Sequence, residues 1–120
     1  MITGVYTALS GLQAYSTRVA NNANNIANVN TEGFKKDRVI LSAQPPQGVR
    51  ATMEEVNAPS PAVTEMTDQG SEMVKQSNES NVDLGEEIPD LVVNQHSYSA
   101  NLKTIETTDQ MMQSLLDLKA

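Results

Sequence analysis

The residue types that ordinarily carry catalysis are scarce in this 120-residue chain. His96 is the single histidine and there is no cysteine, so a thiolate nucleophile, a zinc site built on sulfur and a disulfide framework are all excluded. His96 follows Gln95 with no second imidazole to pair with, which marks a surface or interface side chain rather than a general base. Glu86, Glu87 and Asp90 form an acidic group, but acids collect at the start of a helix through its dipole without any metal. Asn78-Glu79-Ser80 matches the glycosylation pattern in form only. No phosphate loop, nucleotide fingerprint or zinc spacing occurs, so we expect no enzyme activity, no cofactor and no small-molecule substrate.

The unusual chemistry is amide chemistry. Asn21, Asn22, Asn24, Asn25, Asn28 and Asn30 crowd one stretch, ANNANNIANVN, directly before Thr31-Glu32-Gly33-Phe34-Lys35-Lys36. Asparagine is a mediocre helix former because its side chain competes for backbone groups, yet it caps termini and bonds across interfaces. A face this rich in amides suggests hydrogen bonding to neighbouring chains, with a fraying, solvated helix end as the alternative.

The elements that must position these residues are legible from periodicity. Ile2, Val5, Leu9, Leu12, Ser16, Val19, Ala23 and Ile26 step by three and four, a heptad seam. Gly33 is a stop signal that tolerates positive φ, so the first helix should end near Val29. Leu84, Ile88, Leu91, Gln95, Tyr98, Leu102, Ile105, Asp109, Met112 and Leu116 form a second seam. Asp83 and Glu86 are a capping pair at its start, whereas Pro89 should either bend the helix or delay its regular part. Between the helices, Val39-Ile40 and the alternation of Val49, Ala51 and Met53 flank Gln44-Pro45-Pro46-Gln47-Gly48, predicting a hairpin over about 34–57. Residues 58–81 read as an irregular connector.

The expected fold is mainly α: two long terminal heptad helices in an antiparallel coiled-coil hairpin, with a small β-hairpin and loop insert. Residues 1–30 supply the first helix, 31–80 the insert and 81–120 the second helix. With 3% aromatic residues, no Trp and a mean hydropathy of -0.40, such a hairpin lacks the burial to stand alone and calls for copies or relatives to pack on. Net charge is -7, distributed as +2, -4 and -5 over residues 1–40, 41–80 and 81–120. The acidic surface disfavours nucleic acid. No basic, then apolar, leader precedes the first helix and no run suits a membrane span, so neither a cleaved signal nor direct membrane insertion is expected.

Ala23-Asn24-Asn25-Ile26-Ala27-Asn28-Val29-Asn30-Thr31 with Gly33-Phe34-Lys35 resembles the amino-terminal signature of the bacterial flagellar axial proteins, the rod and hook family. Asn81-Val82-Asp83-Leu84, Glu86-Glu87 and Gln95 with Tyr98, Ala100 and Asn101 resemble that family's carboxy-terminal motif. Gly48-Val49-Arg50 and Pro59-Ser60-Pro61 look similar to the short insert of the proximal rod protein C type. The resemblance implies a structural subunit of the basal-body rod in the periplasm, exported without a cleaved signal through the flagellar type III apparatus. Its partners would be itself and other flagellar rod proteins. A soluble helical homo-oligomer or an export-associated binding module is the alternative. By the same resemblance, Ala8, Leu9, Asn25, Asn28, Gly33, Phe34, Tyr98 and Asn101 would carry assembly contacts or fix the turn. Val5, Leu12, Val19, Ile26, Leu91, Leu102, Ile105 and Met112 would build the seam.

Overall fold

The fold is that of a computed structural model, which describes residues 2–59, 63–66, 72–75 and 79–119. Helix α1 spans Ile2–Ala27 and helix α2 Leu84–Lys119; between them lie strands β1 (Asp37–Ala43), β2 (Val49–Glu55), β3 (Val63–Met66) and β4 (Glu72–Lys75). The chain is mainly α and elongated, 87 × 24 × 15 Å.

At the end of helix α1 the Asn24 carbonyl is shared between the backbone N–H and the side chain of Asn28. The Asn28 side chain donates to both the carbonyl and Oδ1 of Asn24, at 2.9 and 2.8 Å, and a hydrogen-bonded turn follows. Gly33 then adopts φ 71°, the positive value that a side chain would resist, and turns the chain toward β1.

The two helices run antiparallel: Gly11 of α1 lies against Asn101 of α2, and Asn22 against Asn94. The face of α2 that meets α1 is rotated from the apolar seam read in the sequence. Glu87, Leu91, Asn94, Asn101, Ile105, Thr108 and Met112 are buried or half-buried, whereas Leu84, Ile88, Tyr98, Leu102 and Leu116 are exposed. Small residues explain the choice. Ala8, Gly11 and Ala14 are the buried ridge of α1, and they let α2 approach more closely than a leucine seam would.

Helix α2 starts where expected, but its first turn is closed differently. Asp83 Oδ1 accepts from the Gly85 N–H at 2.7 Å and its carbonyl accepts from Glu86 and Glu87. The Glu86 carboxylate does not fold back onto the cap; it bonds Lys36 Nζ at 2.9 Å. Pro89 neither delays nor ends the helix. Pro89 and Gly85 are both exposed, so the carbonyl that the proline leaves unpaired faces water.

Strands β1 and β2 pair antiparallel with Asp37 opposite Glu55 and Ala43 opposite Val49, joined through Gln44–Gly48 as the sequence predicts. Val39, Leu41, Val49 and Ala51 form the covered face against α1, while Arg38, Ile40, Arg50 and Thr52 point outward. At the tip, the Val49 N–H donates to Ser10 Oγ at 3.1 Å. The connector is not wholly irregular: β3 and β4 pair antiparallel, Val63 opposite Lys75 and Met66 opposite Glu72. Four-residue strands flanked by Pro, Gly and Ser leave too short a period to see in sequence. Asn78, Ser60 and Pro61, which belong to two of the sequence motifs, lie outside the described residues.

Candidate assembly interface and the asparagine node

The residues with catalytic chemistry do not converge. His96 is exposed on α2. Glu86 and Glu87 turn toward Lys36, whose ammonium stands 2.9 and 4.0 Å from their carboxylates. Among the described residues no group of three or more His, Cys, Asp and Glu is arranged to hold a metal, and no helix is long and apolar enough to cross a membrane.

The amides instead build a node where α1, α2 and the root of the β1–β2 hairpin meet. Asn25, 1% exposed, donates to the Asp37 carbonyl at 2.9 Å and accepts from the Asp37 N–H at 3.2 Å. Asn21 donates to the same carbonyl at 2.7 Å. Asn22 donates to Glu87 Oε2 at 2.7 Å and accepts from Asn94 Nδ2 at 2.8 Å. Asn81 closes the other side of the root: its Oδ1 accepts from the Lys36 N–H at 2.7 Å, and its Nδ2 donates to the carbonyls of Val56 and Ala58. No buried side-chain nitrogen or oxygen among the described residues lacks a partner. Each buried amide is therefore matched, the condition under which a polar core is stabilising.

The residues expected at an assembly interface divide into three groups. Ala8 and Asn25 are buried inside the chain, and Asn101 covers Gly11 with its Nδ2 held by the Ser97 carbonyl. Val5, Leu12, Val19, Ile26, Asn28, Phe34, Leu91, Ile105 and Met112 are half-buried. Leu9, Gly33, Tyr98 and Leu102 are exposed. Tyr98 borders a shallow groove with Ser16, Val19 and Gln95. Sequence reasoning placed Asn22 only within the run of amides and passed over Asn94 and the backbone-matching role of Asn81. A single asparagine in a polar helix face gives no sign of burial, and Asn81 stood out as the first residue of the carboxy-terminal motif without any sign of what its amide would bond.

The outcome is a short polar core with apolar residues left around it. Tyr6, Leu9, Ile88, Val92, Leu102 and Leu116 are 45–69% exposed. Seven polar or charged residues are buried among the described residues, against Ala8, Ala14 and Val39 on the apolar side. This inverts the usual globular pattern and leaves a surface that only further packing would cover.

Comparison with known proteins meets the same two ends of the chain. The family model for flagella basal body rod protein matches residues 5–35, and that for the flagellar basal body rod FlgEFG protein C-terminal region matches residues 71–118. The chain is 51% identical over 39 residues to the flagellar hook protein FlgE of Borreliella burgdorferi, covering 32% of this chain and 9% of that protein. It is 38% identical over 71 residues to the flagellar hook-basal body complex protein FlhO of Bacillus subtilis, covering 59% and 25%. It is 49% identical over 41 residues to the flagellar basal-body rod protein FlgG of Bacillus subtilis, covering 34% and 16%. The chain thus matches a quarter or less of the length of each of these relatives. The finer likeness to the proximal rod protein C type rests on the short insert motifs alone. With one family signature on α1 and its turn, the other on α2, and both in the family's order, the chain belongs to the bacterial flagellar rod and hook proteins.

Proposed function

We propose that this chain is a structural subunit of the flagellar basal-body rod and polymerises through α1 and α2 with copies of itself and related rod proteins. The observation that carries this reading is the split between the two helix faces. Small and amide residues join α1 to α2 beside the half-buried Leu91, Ile105 and Met112, while Leu9, Ile88, Leu102 and Leu116, four of the apolar members of the sequence seams, face outward. A seam of that kind has its free-energy minimum when a neighbouring helix covers it. The hairpin lies on the side of α1 and adds width without closing off those stripes.

On this reading the chain reaches the periplasmic rod through the flagellar type III apparatus. A fold whose buried set is small and largely polar suits passage in an unfolded state. The role is mechanical, with no substrate and no cofactor.

The test is in the flagellum. Leu102→Asp and Leu116→Asp alter exposed positions, so the single chain folds normally while its incorporation into basal bodies fails and motility is lost. Motile cells with complete rods built from the doubly substituted chain would overturn the proposal, as would an unsubstituted chain recovered only as a cytoplasmic oligomer.

A further inference from the structure

Lys36 and Asp37 stand where three separate pieces of the chain meet, and their four backbone groups are divided among all three. The Lys36 N–H goes to Asn81 and its carbonyl accepts from the Val56 N–H at 2.9 Å. The Asp37 N–H goes to Asn25, and the Asp37 carbonyl accepts from Asn21 and Asn25. The root of the hairpin is therefore gripped by α1 from one side and by the lead-in to α2 from the other.

The Lys36 side chain extends the same chain of contacts into the helix pair. It reaches Glu86 and Glu87; Glu87 accepts from Asn22, and Asn22 accepts from Asn94. Asn22, Glu87 and Asn94 are 6%, 7% and 2% exposed, so breaking one of their bonds while the helices stay packed leaves buried polar groups unpaired. Leaving such groups unpaired costs far more than an exposed bond is worth, which favours opening all of them at once. A two-stranded hairpin released from its root is marginal in water.

We propose that the β1–β2 hairpin and the α1–α2 pairing at Asn22, Glu87 and Asn94 open and close as one cooperative unit. The insert presents its ordered outer face, with Arg38, Ile40, Arg50 and Thr52, only when the terminal helices are paired. The hairpin thus reports the state of the helices, and a chain with unpaired ends carries no formed insert surface. This goes beyond the rod reading and stands without it. The competing arrangement is a hairpin held by α1 alone through Val39 and the Ser10–Val49 contact.

Hydrogen exchange on the full chain, followed by mass spectrometry, separates the two. In the unsubstituted protein, amides of 38–43, 49–55 and 87–94 should open with one common dependence on denaturant. Asn94→Ala removes a side chain whose hydrogen bond is to Asn22, not to the hairpin, and should speed exchange of the hairpin amides at least about tenfold, in step with 87–94. Hairpin amides that keep their protection in Asn94→Ala while 87–94 lose theirs would overturn the proposal. So would different denaturant dependences for the two segments in the unsubstituted chain, and that series decides alone if Asn94→Ala retains no protection anywhere.

Discussion

The side-chain amide of Asn25 pairs with Asp37 as a neighbouring strand would, giving Nδ2 to its carbonyl at 2.9 Å and taking its N–H onto Oδ1 at 3.2 Å. One buried side chain thereby joins the last turn of α1 to the first residue of β1. Asn25→Ala should lower stability by about 2 kcal/mol, because it leaves the Asp37 N–H without its partner in a partly buried site. Asn25→Asp should cost at least as much, since an acceptor then faces the Asp37 carbonyl. Asn28→Ala, by contrast, should change stability by under about 1 kcal/mol, as its bonds to Asn24 are exposed. Midpoints of urea unfolding across the three variants measure the ranking.

Two ion pairs of equal length should differ in worth. Lys36–Glu86 and Arg38–Glu54 are both 2.9 Å, but Lys36 is only 18% exposed and also faces the nearly buried Glu87, while Arg38 and Glu54 are 65% and 53% exposed. Arg38→Ala should shift stability by no more than about 0.5 kcal/mol and lose even that in high salt. Lys36→Ala should cost about 1–3 kcal/mol, because a buried carboxylate loses its nearest cation. Unfolding at low and high ionic strength distinguishes them.

Gly11 and Gly4 lie on the same helix and should respond oppositely. A Cβ at Gly11 would fall 2.7 Å from Asn101 Oδ1, whereas one at Gly4 meets nothing within 4 Å. Gly4→Ala should therefore raise stability by up to about 1 kcal/mol through helix propensity. Gly11→Leu should lower it by about 1–3 kcal/mol through overpacking, and Asn101→Ala in the same chain should recover part of that loss. A double-mutant cycle on thermal unfolding gives the coupling directly.

The hairpin tip makes a separable test. Gly48 has φ 120°, and a Cβ there would stand 2.7 Å from Ser10 Oγ. Gly48→Ala should cost about 1–3 kcal/mol from backbone strain and contact together. Adding Ser10→Ala removes the Oγ contact but leaves the Ser10 Cβ 3.2 Å away, the strain in place and the Val49 N–H without its acceptor, so it should restore only part of the stability; full restoration in the unfolding midpoint would show that φ contributes nothing.

What the sequence determined by itself is local. The period of three and four, the glycine stop and the alternation around Gln44–Gly48 specify two helices and a hairpin, because each depends on residues only a few positions apart. The signatures at the two ends were equally legible. The direction in which each side chain is spent was not, since an asparagine amide bonds water, a neighbouring chain or a distant backbone with similar ease. Tertiary structure decided that Asn25 meets Asp37 12 residues away and that Asn22 meets Glu87 and Asn94 at separations of 65 and 72. It also decided that α2 turns Asn94, Asn101 and Thr108 toward α1 along with Leu91, Ile105 and Met112, and leaves Leu84, Ile88, Leu102 and Leu116 exposed. Gly11 leaves room for Asn101 and the paired amides tolerate burial, so the closest approach belongs to small and matched polar groups and much of the apolar seam stays outside.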